Sequence, residues 1–378
     1  MKSNYKKLGK YIRQVDIRNT EGKTDNLLGV SVAKQFISSI ANTVGTDFTK
    51  YKVVKKGQFT YIPDTSRRGD KIGIALLEDY DEGLVSNVYT VFEVIDEKEL
   101  IPQYLMLWFS RPEFDRFARF KSHGSVREVM DWDEMCNVEL PIPTYEEQKQ
   151  IVDSYNAIKT RIDIKKQIND NLEAQASAIY HSLFDECSEW VKGSVSDFGE
   201  VIGGATPSKD IDDYFCSDGI VWLTPKDLTS TGKKFIYRGE TDITNAAYRS
   251  CSTKLMPKGS VLLTSRAPVG CVAIAMTELC TNQGFKSIVP SKKIGTAFVY
   301  YFLKENKQLL ESHSSGTTFM EISGNVLKEI PVSIPPEELT QKFADLCEPI
   351  FRHQEQIEAE IDHLLELQRT MVSQISSH

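Results

Sequence analysis

Two short loops carry the side chains best suited to specific polar contact. "DTSRRGDK" (64–71) and "TSRAPVG" (264–270) each set arginine in a turn after an apolar, strand-like run, Arg67 and Arg68 in the first and Arg266 in the second. A guanidinium is a planar fork of donors that matches a phosphate or a guanine edge. Amides lie at comparable places, Asn87 in one half and Asn282–Gln283 in the other, and an amide can pair with adenine through two hydrogen bonds. Ser31, Lys34, Tyr61, Tyr89 and Arg127 in the first half, with Lys209, Thr224, Lys226, Ser265 and Lys286 in the second, complete the set of candidate nucleic-acid contacts. "GVSVAK" (29–34) and "WLTPKDL" (222–228) place Ser31 opposite Thr224. Taken singly, each residue is equally well explained as a solvated loop side chain. Their matched clustering is what points to a shared role.

No catalytic constellation accompanies these loops. The chain has no phosphate-cradling loop ending in Lys-Ser/Thr, no nucleophile elbow, and no Asn/Asp-Pro-Pro-aromatic motif for amino-group methylation. "VIGGATPSKD" (201–210) gathers glycines and hydroxyls, but without the lysine ending it reads as a tight turn and local cap. Seven scattered cysteines, never spaced Cys-x-x-Cys, support neither a disulfide framework nor a zinc site. His123, His313 and His363 form no helical ligand pair. An enzyme, such as a metal-dependent nuclease, is therefore the weaker expectation, and no cofactor is expected in this chain. With no run of about 18 apolar residues and no apolar stretch behind the basic start, a cytoplasmic protein without a membrane span is expected.

The elements that would position the loops come in duplicate. "LPIPTYEEQKQI" (140–151) returns as "VSIPPEELTQKF" (332–343), and a constant offset of 192 relates Gly124 to Gly316, Pro143 to Pro335, and Ile158 to Ile350. Upstream the offset drifts: "SNVYTVFEV" (86–94) meets "TNQGFKSIV" (281–289) near 195, "VVKKGQF" (53–59) meets "LMPKGSV" (255–261) at 202, and "LGKYI" (8–12) meets "FGEVI" (198–202) at 190. The order is thus globe, helix, globe, helix, with boundaries at 1–143, 144–190, 191–335 and 336–378. Short β-branched runs make the globes mixed α/β, and helical spacing at 103–120 and 296–313 predicts core helices at equivalent places.

In the first helical segment a 4-3 register reads Ile151, Tyr155, Ile158, Ile162, Lys165, Asn169, Leu172, Ala176, Ile179 and Leu183. In the second it reads Phe343, Cys347, Ile350, Gln354, Ile357, Ile361, Leu364, Gln368, Met371 and Ile375. A seam of this length calls for a partner helix. Pro349 is expected to kink or restart the second segment. Charge separates along the same lines. The net charge of −8 falls entirely on the helical segments, −4 on 144–190 and −6 on 336–378, against 0 for 1–143 and +2 for 191–335. The globes can face phosphate, whereas the helices would repel it.

Taken together, "GGATPS", "GIVWLTPKDL" (219–228), "PKGSVLLTSRAPVG" (257–270), "TNQGFKSIVP" (281–290) and the doubled helix lead-ins resemble the DNA sequence-specificity (S, HsdS) subunit of type I restriction-modification systems, along the whole chain. The resemblance implies an α+β fold in which two pseudo-repeated target recognition domains alternate with two long helices that pair as an antiparallel coiled coil. It implies that each domain reads half of a bipartite sequence in double-stranded DNA, across a spacer set by helix length. Two methyltransferase (HsdM) subunits would dock on the chain, and restriction (HsdR) subunits would complete the complex. S-adenosylmethionine, ATP and Mg would reside in those partners. The first globe lacks the "GG-x-TPS" and "WLTPKDL" wording, so its half-site is expected to differ. The competing expectation is a repeat scaffold that binds other proteins and no DNA.

Overall fold

The computed structural model describes residues 5–39, 45–64, 71–122, 128–186, 190–316 and 320–375. They form two compact units: Met1–Asp163 with His363–His378, and Ile164–Asp362. The dividing line therefore passes through both long helices, where the sequence placed four consecutive segments. Each unit is a globe together with part of each helix.

Among the described residues the first unit holds ten strands: β1 (Tyr5–Lys7), β2 (Ile12–Val15), β3 (Leu28–Val30), β4 (Phe36–Ser38), β5 (Lys52–Lys55), β6 (Phe59–Tyr61), β7 (Ile74–Leu76), β8 (Glu82–Val85), β9 (Thr90–Val94) and β10 (Glu139–Pro141). An antiparallel sheet in the order β2-β9-β6-β7 forms its centre, flanked by the pairs β1-β10, β3-β4 and β5-β8. The aromatic and β-branched content of β6 and β9 suits a buried pleat, and Phe59 stacks on Phe92 with ring centroids 4.8 Å apart. The expected helix at 103–120 is two helices, α1 (Pro102–Phe109) and α2 (Pro112–Lys121). Proline cannot continue a helix and drives its predecessor extended, as Arg111 is (ψ 139°). Phe109 of α1 meets Phe59 edge-on, and the short α3 (Trp132–Cys136) is capped by Asp131, which accepts from the Glu134 amide at 2.9 Å. The chain then enters α4 (Tyr145–Phe184).

The second unit repeats this plan with additions. It holds β11 (Val191–Ser194), β12 (Gly199–Gly203), β13 (Phe215–Cys216), β14 (Ile220–Leu223), β15 (Phe235–Ile236), β16 (Asp242–Ile243), β17 (Val261–Leu263), β18 (Val272–Ala275), β19 (Cys280–Thr281), β20 (Lys286–Pro290) and β21 (Pro331–Ile334). Its helices are α5 (Pro225–Thr231), α6 (Asn245–Ser250), α7 (Gly295–Glu305), α8 (Lys307–Ser312), α9 (Gly324–Glu329) and α10 (Glu337–Gln374). The central sheet runs β12-β20-β17-β18-β15, so a fifth strand, β15, lies parallel to β18 where the first unit's sheet ends at β7. A second sheet, β13-β16-β14-β19, has no counterpart of that size among the described residues of the first unit.

The hydrogen bonds fix the repeat register. Gly57 and Gly259, 202 apart, both take positive φ (+84° and +88°) and donate to Leu77 and Ala275 at 2.8 Å, a turn conformation open to glycine. Near the start, however, the Leu8 amide donates to Val138 O and the Val195 amide to Ile330 O, so Leu8 matches Val195 with an offset of 187. The sequence offset of 190 was misled by the Leu-Gly and Phe-Gly pairs; backbone pairing, which shifts with each loop, decides. Ser31 and Thr224 are likewise not equivalent. Thr224 starts a helix, whereas Ser31 starts a tight turn into β4 that Lys34 closes at φ +62°.

In both helices the expected seam positions are buried or half-buried throughout, including Ile158, Ile162, Leu172 and Ile179 in α4 and Ile350, Ile357, Ile361, Leu364 and Met371 in α10. Within the second unit Lys165 meets Glu360 at 2.7 Å, Gln354 donates to Glu173 at 3.0 Å, and Phe184 packs on Phe343. Position numbers rise on one helix as they fall on the other, which makes the pair antiparallel. In the first unit Val152 of α4 shares a core with Val372 and Ile375. Pro349 does not end α10, which is continuous through it. The proline lies on the exposed face, where water can meet the carbonyl it leaves unbonded one turn earlier. The doubled lead-in has a mechanical purpose. Gln148 of α4, fully buried, accepts from the Ile101 amide and donates to the Glu99 and Pro143 carbonyls at 2.8–2.9 Å. Thr340, 192 residues on, donates to the Lys293 carbonyl at 2.6 Å. Each clamp holds a helix start to its own globe.

Candidate nucleic-acid interface

In the second unit the loops after β12, β17 and β19 converge. The "GGATPS" glycine is needed because a Cβ on Gly204 would stand 2.1 Å from the Thr281 carbonyl oxygen and 2.2 Å from that of Asn282. This close approach lets the Ala205 amide donate to Thr281 O at 3.0 Å and seats Trp222 Nε1 on Ala205 O at 3.0 Å. Asn282 donates its backbone amide to Leu223 O and accepts from the Gly284 amide, both at 2.8 Å, so its carboxamide oxygen is used within the turn. Gln283 projects outward and accepts from the Thr206 hydroxyl.

Ser265 is fixed through its amide, which donates to Gly284 O at 2.8 Å, and its carbonyl, which accepts from the Ile322 amide at 3.0 Å, and its hydroxyl is buried. Arg266 follows, half-exposed, with Glu321 3.7 Å away. Lys286 donates to Gln283 O at 3.2 Å and lies 3.9 Å from the same carboxylate. Partial burial lowers its pKa, opposed by Glu321. These loose pairings are worth little in water and leave the cations free to exchange partners. Arg266, Asn282, Gln283 and Lys286 thus form one surface. Lys209 is exposed on the 204–210 loop. Lys226 is exposed on α5 and paired with Glu240 at 2.7 Å.

Thr224 has a structural assignment. Its amide and hydroxyl both donate to Asp227 at 2.7 Å, a capping box with Pro225 in the first turn, so the "LTPKD" wording is a helix start. Its hydroxyl is committed there.

The first unit distributes its candidates differently. Arg67, Arg68 and Arg127 lie outside the described residues. Asn87 is exposed in the turn between β8 and β9, with Tyr89 half-buried behind it and accepting from Lys52 through its carbonyl at 2.7 Å. Ser31 bonds the Gln35 carbonyl at 3.2 Å. Two candidates are withdrawn from the surface. Tyr61 is fully buried in the core, because all three residues of β6 are covered by neighbouring elements. Lys34 is tied to Asp115 at 2.7 Å with 8% of its side chain exposed; burial lowers its pKa and Asp115 opposes that.

Sequence reasoning missed a buried polar centre in the second unit. Lys234, just before β15, donates to Glu173 of α4 at 2.8 Å, Gln354 of α10 at 2.9 Å and the Tyr301 hydroxyl at 3.1 Å, with the Phe351 ring 3.8 Å from its ammonium. Burial brings its pKa down to about 8, against the pull of Glu173. Burial alone would raise Glu173, but Lys234, Lys304 and Gln354 outweigh it and hold the carboxyl at about 2. Gln354 is one of the polar breaks in the seam, and its purpose is now visible: it completes the shell around a lysine from the globe. Lys234 itself sits in an ordinary basic stretch and gave no signal.

Among the described residues no helix is long and apolar enough to cross a membrane, and no group of His, Cys, Asp and Glu is placed to hold a metal ion. Two related α/β units, each clamped to the start of a long helix, and two long helices that pair antiparallel define a doubled module. The chain belongs to the family of the type I restriction modification DNA specificity domain, whose profile matches residues 2–174 and 187–367. It is 44% identical over 158 residues to the type I restriction enzyme MjaIX specificity subunit of Methanocaldococcus jannaschii, covering 41% of this chain and 36% of that protein. It is 21% identical over 379 residues to the HindI specificity subunit of Haemophilus influenzae, covering 79% and 81% of the two chains. In the first match the chain spans about a third of its relative's length. The fold is similar to that of the type I restriction-modification S subunit from M. genitalium, with a TM-score of 0.59 at 13% identity over 98% of this chain and 95% of that one.

Proposed function

We propose that this chain is the DNA-reading subunit of a type I restriction-modification complex, without catalytic chemistry of its own. Each globe reads one half of a bipartite target in double-stranded DNA, and the paired helices set the gap between half-sites and dock two methyltransferase subunits. Methylation, with S-adenosylmethionine, and any cleavage, with ATP and Mg, belong to the methyltransferase and restriction partners in the cytoplasm. The observation that carries this reading is the converging surface of Arg266, Asn282, Gln283 and Lys286, which offers forked, amide and ammonium donors from two adjacent loops and the start of β20, in a globe fixed to a rigid helix. Arg67 and Arg68 are proposed for the matching task in the first globe, together with Asn87 and Tyr89.

Co-expression with the neighbouring methyltransferase subunit, in a host free of similar systems, followed by single-molecule sequencing for modified adenines, tests the reading. One bipartite motif methylated on both strands is expected. An active, stable complex that methylates nothing would overturn it, leaving the protein-binding scaffold as the account of the repeat.

A further inference from the structure

The two central sheets end differently at the same place, and the difference leaves an opening. In the second unit the amides of Ile274 and Met276, on the outer side of β18, donate to Lys234 O at 2.7 Å and Ile236 O at 2.9 Å of the parallel strand β15. The counterpart of β18 is β7: Leu77 donates to Gln58 O as Ala275 donates to Ser260 O, both at 2.9 Å. The matching outer amides are therefore those of Leu76 and Glu78. Among the described residues neither has a hydrogen-bond partner, because β7 pairs only with β6. A strand edge of this kind is a template for another strand.

A cavity of about 350 Å³ lies along that edge, lined by Leu76, Glu78 and Asp79, by Met106 and Leu107 of α1, and by Tyr155 and Lys159 of α4. Its walls match the surroundings of Lys234 and β15. Lys159 and Phe351 are 192 residues apart, the offset of the helix repeat, and Phe351 is the ring against Lys234. Residues 33–36 stand at the cavity's margin but make no backbone bond to β7. The first unit thus has the socket, and the second unit has both the socket and the strand that fills it.

We infer that the free edge of β7 in the first unit is a docking groove for an extended segment of a partner polypeptide, added as a parallel strand with two adjacent apolar residues and a basic one two positions beyond them. The apolar pair takes the places of Phe235 and Ile236, which are 5% and 4% exposed in the second unit. The basic residue is required by charge. β15 runs parallel to β18, so the residues after Ile236 pass Met276 and Thr277, whose counterparts here are the exposed carboxylates Glu78 and Asp79. A lysine ahead of the apolar pair is disfavoured, because Lys159 replaces the Phe351 ring that receives Lys234. Strand addition of this kind draws affinity from main-chain bonds and specificity from alternate side chains.

The test uses the full chain without DNA or methyltransferase, so its outcome is independent of the reading above. The probe is a fluorescein-labelled peptide, Ser-Thr-Phe-Ile-Tyr-Arg-Gly-Glu, followed by anisotropy and by amide exchange on labelled protein. Saturable binding is expected, with protection gained at the Leu76 and Glu78 amides. The surface variant Glu78→Lys/Asp79→Lys should weaken it about tenfold or more, and a peptide with Glu in place of Arg should weaken to a similar degree. Absence of saturable binding overturns the inference. So does binding indifferent to both charge reversals, or binding that loosens Ile274 and Met276, which would mean that the peptide displaces β15 instead.

Discussion

Both units bury a lysine beside the central sheet, but they anchor it to different things. Lys34 of the first unit stays within its globe, paired with Asp115 of α2, which also accepts from the Ile72 amide at 3.2 Å. Lys234 of the second unit reaches out of its globe to Glu173 on one long helix and Gln354 on the other. The first globe is fastened to its helices by the Gln148 clamp and by Val152, Val372 and Ile375, which join its apolar core, and the second adds a charged cross-link to both helices. Apolar contacts tolerate some sliding, whereas a desolvated ion pair with fixed hydrogen bonds does not. The second globe is thus the more rigidly oriented on its helices.

Breaking the charged cross-link should show this most strongly. Glu173→Ala leaves Lys234 buried among aromatic rings, and urea denaturation of the full chain should show a loss of roughly 3–5 kcal/mol in the transition of the second unit. Asp115→Ala should cost the first unit less, about 1–3 kcal/mol, because the neighbouring cavity lets Lys34 swing toward water. Equal losses would contradict the distinction drawn between the two lysines.

The clamps should rank next. Gln148→Ala removes one acceptor and two donor bonds from a buried site and should cost about 2–3 kcal/mol, against about 1 kcal/mol for Thr340→Ala. Acid separates the units as well. A carboxyl held at about 2 in the folded state binds its proton later than in the unfolded chain, so its contribution is present above the ordinary carboxylate range. That contribution is lost as pH falls from about 4.5 toward about 2. The second unit's denaturation midpoint should fall over this window, and Glu173→Gln should flatten the fall. The smallest effect on stability belongs to Arg266→Ala, within about 0.5 kcal/mol. The same variant should weaken DNA binding by the assembled complex and reduce its salt slope by about one. An unchanged slope would remove Arg266 from the proposed interface.

The helical half of the architecture was legible because periodicity survives without tertiary knowledge. Each of the twenty seam positions is at least half-buried, and the 192-residue offset holds from Asp131 and Ser323, the caps of α3 and α9, to Gln148 and Thr340, the two clamps. The globes were less so. The amino-terminal register slipped by three residues because a two-residue likeness outweighed strand pairing that no local pattern encodes. Tyr61 and Thr224 looked like surface donors because loops and strand ends attract polar readings, yet one is closed in by the sheet and the other is spent on a helix cap. Lys234 was invisible for the opposite reason. Its partners come from positions 61 and 120 residues away, and only folding brings them together.

The division of the chain has a consequence for its synthesis. The first unit includes His363–His378, and Val372 and Ile375 lie in its core beside residues from the amino-terminal globe. A ribosome makes the chain in order, so the first globe emerges early but waits for Val372 and Ile375 before its core is complete, while the second unit, a continuous stretch from Ile164 to Asp362, can mature earlier. A stop shortly before residue 370 would therefore injure the globe translated first and spare the one translated after it, and a nascent first globe would need shielding until its missing helix arrives.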